Sequence, residues 1–457
     1  MLFASFIFSL NVHAQESLIV ELPETYELSN IILALTKYGQ SDKWEVQKNS
    51  AYYREVLAYF EPIKNHPLLD SVNYSREKWD YYLSFRTDAY AYTFDATGKL
   101  KRVNDFYSVA EFKPFDTHLD LINDFVTKSN FRQFYQQHQT FYNYIINNYK
   151  AYFHVEASFT FLNERVGKPS NFSSNQKYHI VLSPLVYRMN CHRDIDDNTV
   201  ADFPSASEDF INGISTSNSI SRVVQSHVLF TETDHGYLNP ISDKYEQLIT
   251  QSFDTKKWDM ESGYEGISVF NEYITWAVYD LFIKEYFPDK ADSIAIQWQY
   301  QNAARGFWAQ NIFANKMAEL YYKKGQKKFE SIYVPFLKWC KKVGPHITQP
   351  TIVGTDTEHF IKADLNNLAL NFSEPMNTKK PIAVQIFEFK NEKATGNKKI
   401  ITLKDYQWSN QGKTLNFKID IPYEEFSLKF NWWGNGKPLV SKQGVFLKPE
   451  SIIALKQ

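Results

Sequence analysis

Cysteine is nearly absent: the 457 residues hold two, Cys191 and Cys340. That excludes a disulfide-built scaffold and leaves either one bridge or two buried thiols. Long apolar runs are also missing. No stretch after the first residues reaches the roughly 18 that a membrane-spanning helix needs, so no transmembrane segment is expected. Net charge is -2, and no long basic run occurs, which argues against nucleic acid as a partner. The stretch Asn190–Asn198, NCHRDIDDN, opens like a calcium loop but lacks the glycine and closing glutamate of an EF-hand. It reads as a solvated acidic loop carrying His192, Asp194, Asp196 and Asp197.

The opening fourteen residues, MLFASFIFSLNVHA, are apolar and close on Val-His-Ala. They have the form of a secretory signal peptide, although the usual basic start is missing. The run is too short to span a bilayer, and no cysteine follows it to carry a lipid anchor. The expected location is the periplasm, the cell surface or the medium. Aromatic residues make up 17% of the chain. Such a share either lines grooves for carbohydrate or peptide, or fills cores with Tyr and Phe.

From Leu18 the chain reads as a short strand to Leu22, then mainly as helices. Pro23 and Glu24 open a helix through Lys37, with Gly39 as its stop. Ala51 to Ile63, Lys78 to Ala89, Leu119 to Thr127 and Phe131 to Tyr149 follow with helical spacing of apolar residues. Val155 to Leu162 and Tyr178 to Leu185 have strand composition. Helices return at Tyr245 to Phe253, Ile267 to Phe287, Pro288 to about Lys323 and Lys328 to Val343. After Pro350 short alternating strands take over, among them Leu368 to Phe372, Val384 to Phe389, Lys399 to Leu403, Thr414 to Ile419 and Phe426 to Trp432. The expected fold class is α+β. A mostly helical domain with a small sheet, residues 15–345, precedes a β-sandwich, residues 350–457. Phe372-Ser-Glu-Pro-Met376 resembles the strand-end motif of bacterial Ig-like modules, which implies a domain that spaces or binds.

The chain is organised around Ser219 to Pro240, SISRVVQSHVLFTETDHGYLNP. At 3.6 residues per turn, Ile220, Val224, His227, Val228, Thr231 and His235 form one inward stripe, with Glu232 beside it. Gly236 and Pro240 mark the expected end of that helix. Thr231-Glu232-Thr-Asp-His235 matches the zinc-peptidase signature H-E-x-x-H everywhere except at its first position. The signature works because two histidines at i and i+4 grip one zinc while the glutamate activates the bound water. His227 does not replace the missing ligand easily, because it lies about 12 Å along the axis from His235. A loop such as Asn190–Asn198 offers a substitute ligand.

Downstream, Phe270 to Trp276 reads FNEYITW inside a segment that is apolar almost all round. A buried helix is expected there, and Glu272 within it requires a cation, a metal or a proton. Arg305 is the cation the sequence offers. Tyr264, just before this helix, is either a packed tyrosine or an oxyanion donor.

His235-Gly-Tyr-Leu-Asn239-Pro240 followed by the Glu272 helix is similar to a family of secreted bacterial domains of unknown function. Its members carry H-E-x-x-H, an N-P just after it and a Glu in an E-Y helix, and are read as gluzincin-like zinc peptidases. Thr25 to Gly39, TYELSNIILALTKYG, resembles that family's first helix. The resemblance runs from about Glu16 to Gly344. It implies His235 and Glu272 as metal ligands, Glu232 as general base, zinc as cofactor, and Tyr178 to Leu185 as a cleft-edge strand that a peptide extends. Thr231 departs from the pattern and implies weak or absent zinc. Three readings stay open: a degenerate peptidase keeping a cleft for a peptide or cell-surface polymer, an active zinc peptidase with a substitute third ligand, and a structural or adhesion protein.

Overall fold

The structure is a computed structural model that describes residues 18–109, 111–168, 177–214, 219–259, 262–323, 325, 328–354, 360–362, 364–432, 435 and 437–456. The expected signal segment, residues 1–14, lies outside the described residues. The fold is α+β. By its internal contacts the chain divides into two compact units, Met1–Thr160 with Lys168–Gly236 and Phe161–Gly167 with Tyr237–Gln457. The border expected near residue 345 falls within the second unit.

In the first unit, helix Glu24–Leu35 is the centre: every residue from Thr25 to Leu35 is buried. It stops at Thr36, whose hydroxyl accepts from Gly39 N and caps the short helix Lys37–Ser41. A side chain at Gly39 would collide with the Leu33 carbonyl, so the close turn demands glycine there. Helices Ala51–Phe60, Trp79–Asp88, Leu119–Ser129, Phe131–Gln137 and Gln139–Tyr152 stand near their expected places. The reading of Val155 to Leu162 as a strand is overturned, since Val155–Phe161 is a helix. Ser158 and Phe161 are buried in this stretch, and so are Val155, Phe159 and Leu162. The i, i+4, i+7 spacing of the latter three suits a helix, and β-branched and aromatic composition misled the reading.

Four strands form this unit's main sheet: β1 (Leu18–Glu21), β4 (Lys177–Val181), β5 (His192–Asp196) and β6 (Thr199–Asp202), in the order β1-β4-β6-β5. The hairpin β2 (Tyr92–Phe94) and β3 (Leu100–Arg102) stands apart. Strand β4 pairs in parallel with β1 on one side and β6 on the other. It is therefore interior, and the expectation that Tyr178 to Leu185 forms a cleft edge is corrected. The solvated acidic loop is corrected as well. Asn190–Asn198 is mostly the edge strand β5, turned back on β6 at Asp197 and Asn198 with a bulge between Asp194 and Asp196. Ile195 points inward and is buried, whereas Asp194 and Asp196 are exposed. An edge strand with one wet face has the composition of a polar loop.

The second unit combines helices Glu246–Ser252, Ile267–Tyr286, Ala291–Ala304, Gln310–Lys323 and Tyr333–Val343 with two sheets. Aromatic side chains fill its helical core, Phe313 lying 4.9 Å from the Tyr273 ring and 4.6 Å from Phe336. The single helix expected from Pro288 to Lys323 is two. The chain breaks after Ala304, where Gly306 adopts a φ of 112° that a helix cannot hold.

One sheet runs β11 (Lys393–Thr402), β10 (Ala383–Lys390), β14 (Glu425–Phe430), β15 (Ser451–Lys456) and β8 (Ile361–Lys362). The other runs β12 (Tyr406–Ser409), β13 (Thr414–Phe417), β9 (Leu368–Phe372) and β7 (Ile352–Val353). Leu370, Phe372 and Leu415 from one sheet share a core with Val384, Ile386 and Leu428 from the other. The sheets join the helices at Tyr300, whose hydroxyl lies 2.9 Å from Asn431 O and 2.7 Å from Glu450 Oε1. Ala303, Val440 and Phe446 pack around it. Both cysteines are buried free thiols.

Candidate functional site

The motif lies on one helix, Ser219–Lys244. The stop expected at Gly236 and Pro240 is not used, and Pro240 sits inside the helix. A proline there forfeits a backbone hydrogen bond at a cost of about 3 kcal/mol. Packing offsets this: Tyr237 and Leu238 are buried, the Ser242 hydroxyl lies 3.3 Å from Tyr333 Oη, and Tyr237 Oη donates to Asn163 Oδ1 at 3.0 Å.

The inward stripe is also revised. Between Gln225 and Ser242 no described side chain is exposed. His227 and Thr231 are buried, as expected, but so are Thr233 and Asp234 on other faces. The side chains of Ile220 and Val224 lie outside the described ones. Gln225, Val228, Glu232, His235, Gly236 and Asn239 are the half-buried positions before the proline. Their spacing of three and four makes them one face. Glu232 and His235 thus share the partly open side of a helix that is otherwise closed. Thr231 stands at the margin of that face, and its hydroxyl donates back to Val228 O at 3.1 Å.

The neighbouring position carries a network that the sequence did not reveal. Thr233 Oγ1 lies 2.7 Å from Asp202 Oδ2 and 2.9 Å from Leu229 O. Asp202 Oδ1 lies 2.6 Å from His192 Nδ1, and His192 Nε2 is 3.8 Å from Asp194 Oδ1. Burial alone would lower the pKa of His192, but the hydrogen bonds and charges of Asp194 and Asp202 outweigh it and raise it to about 10. The ring is therefore an imidazolium at neutral pH. Metal ligation needs the neutral ring, so a metal here would have to displace the proton that Asp194 and Asp202 hold on His192. The one available signal was Asp202 itself, an acid closing the short run Thr199-Val-Ala-Asp202 whose last three positions are buried.

Glu272 lies in helix Ile267–Tyr286, whose neighbours Phe270, Asn271 and Tyr273 are buried. Glu272 itself is half-buried, which corrects the expectation of a carboxylate sealed in an apolar interior. The deeply desolvated acid of this helix is Asp280. Burial raises it to about 7, against the opposing hydrogen bond that Gln299 Nε2 donates at 2.6 Å. Arg305 lies over the Trp276 ring at 5.3 Å, and among the described residues it has no carboxylate within ion-pair distance. Tyr264 is exposed and rests edge-on against Phe307.

Glu232 and His235 belong to the first unit and Glu272 to the second. Among the described residues no group of three His, Cys, Asp or Glu side chains is gathered as a metal site.

No family model matches the chain, and no curated protein matches it in sequence. Among solved structures, surface layer protein SbsC, domains 1–6, is similar at 11% identity and a TM-score of 0.19. The match covers 52% of this chain and 33% of that one, and a likeness so slight carries no argument about function.

Proposed function

We infer that this is an exported protein related to zinc peptidases, in which the loss of the first ligand at Thr231 leaves a binding protein for peptide or cell-surface polymer. The observation behind this reading is the half-buried face of helix Ser219–Lys244. Two polar groups of the signature, Glu232 and His235, lie on it together, while the surrounding positions are closed. The role of Glu272 as partner ligand is taken from the sequence motif alone. Zinc, if bound, would supply Lewis acidity, and Glu232 would be the carboxylate in the general-base position of the signature. Thr231 supplies a neutral hydroxyl already directed to Val228 O, so two protein ligands remain where catalytic zinc has three.

Zinc titration against a competing chelator tests the reading. Wild type is expected to bind weakly, Thr231→His more tightly by about tenfold or more, and His235→Ala or Glu272→Ala not at all. Equal affinity for wild type and Thr231→His removes Thr231 as the defect. Tight stoichiometric zinc in the wild type, with peptide hydrolysis, replaces this reading with that of an active peptidase.

A further inference from the structure

A second site stands in the second unit, independent of the motif helix. It is a cleft of about 580 Å³ lined by Lys256, Lys257, Trp308, Gln349 and Lys448, with Glu450 at one wall. Ala303, Ala304, Ile347 and Pro449 give it apolar walls, and Thr348 and Thr351 add hydroxyls. The volume is that of a small-ligand site.

The charge of this cleft is one-sided. Glu450 is the sole carboxylate among the lining residues, and it is already engaged by Lys429 Nζ and by the Tyr300 hydroxyl at 2.7 Å. Lys256 and Lys257 are exposed, and neither has an ion pair among the described residues. The nearby Asp254 spends its carboxylate on Lys256 N, capping the short helix Thr255–Trp258. Trp308 is 4% exposed, and its indole N–H has no acceptor among the described residues.

We propose that this cleft binds an acidic sugar, a uronate-bearing oligosaccharide. The ammonium groups meet the carboxylates, the hydroxyls and amide meet sugar hydroxyls, and the apolar wall meets the C–H face of the ring. An acidic peptide fits less well, because it needs unpaired backbone to bind along. Here the backbone is already used: Lys448 N donates to Pro350 O at 2.9 Å, and Thr351 pairs with Ser373 through Thr351 N to Oγ and Ser373 N to Thr351 O, both at 2.9 Å.

The test uses the full chain with a trigalacturonate probe, and with neutral galactotriose, hexaglutamate and inorganic phosphate as comparators. Calorimetric titration is expected to show trigalacturonate binding that weakens as salt rises. The double variant Lys256→Glu, Lys257→Glu should lose about tenfold or more in affinity with an unchanged unfolding temperature, since both side chains are exposed. Ala304→Trp, which fills the cleft without touching its charge, should weaken binding as much. The proposal is overturned if wild type does not bind trigalacturonate, if both variants bind it as wild type does, or if galactotriose, hexaglutamate or phosphate binds as tightly.

Discussion

His192 and Asp202 face each other directly across the β5–β6 pair, Nδ1 to Oδ1 at 2.6 Å. Asp202 is buried and holds Thr233 of the motif helix with its other oxygen, at 2.7 Å. An edge strand, its neighbour and the central helix are thereby tied through one carboxylate.

Replacing that carboxylate by an amide leaves an imidazolium with its main partner gone. Asp202→Asn is expected to cost about 3 kcal/mol at pH 6. His192 is raised from 6.5 to about 10 in the folded chain. Its contribution is fully present below about pH 6.5 and fades as pH climbs toward 10. Urea unfolding of both proteins at pH 6, 8 and 10 should therefore show the gap narrowing upward. A gap that is constant with pH rules out the charged pair.

Glu27 gives a pH dependence of the same sign for a different reason, because burial favours its neutral form. It is wholly buried, and desolvation raises it to about 8 against the hydrogen bond from Tyr52 Oη at 2.6 Å. The folded chain keeps a proton there that the unfolded chain releases near pH 4.5. Folding stability must fall between those values as pH rises. Glu27→Gln should flatten that slope and exceed wild type at pH 8 by roughly 1–3 kcal/mol. Thermal unfolding at pH 5 and pH 8 checks it, and an unchanged slope overturns it.

Tyr300 bridges the helices and sheets of the second unit through Asn431 O and Glu450. Its ring is buried with Ala303, Val440 and Phe446. Tyr300→Phe keeps that packing and strips the hydroxyl, leaving a buried carbonyl short of a donor. A loss of about 1–3 kcal/mol is expected. Denaturant unfolding matching wild type within 0.5 kcal/mol, about the spread of neutral surface changes, would mean that water replaces the hydroxyl without penalty.

Both cysteines are free and buried, and burial pushes the Cys340 thiol well above its ordinary range. The thiolate is the reactive form. A colorimetric thiol reagent should therefore find almost nothing in the native protein and two thiols after unfolding without reductant. None after unfolding would reveal a bridge.

Much of this fold was legible where one physical signal dominated. Alternation after Pro350 marked β9, β10, β13, β14 and the end of β11, though not β7, β8, β12 or β15, and the apolar density of Ile267 to Phe287 marked a buried helix. Reading failed where local chemistry and tertiary packing disagreed. Gly236 and Pro240 are stop signals, yet the burial of Tyr237 and Leu238 carries the helix past them. Asp194 and Asp196 suggested a wet loop because the exposed face of an edge strand is equally polar. Of the candidate site, helix placement and the i, i+3 spacing of Glu232 and His235 were readable. The Thr233–Asp202–His192 chain was not, because it joins a helix to a strand across 31 residues and two strands across 10, and only the acid at Asp202 hinted at it.

The border between the compact units, Gly236 to Tyr237, lies inside a continuous helix of 26 residues. Most multi-unit chains change hands in a loop, where a protease can nick, a linker can lengthen, or a gene fusion can be spliced. This chain has no such seam at that point. An inserted residue there turns the rest of the helix by about 100° around its axis, which takes Tyr237 and Leu238 out of their buried positions. Truncation at Gly236 strands the last turns of helix without the packing that sustains them past Pro240. A cut there also leaves Phe161–Gly167 of the second unit on the first fragment, so no single cleavage parts the two units.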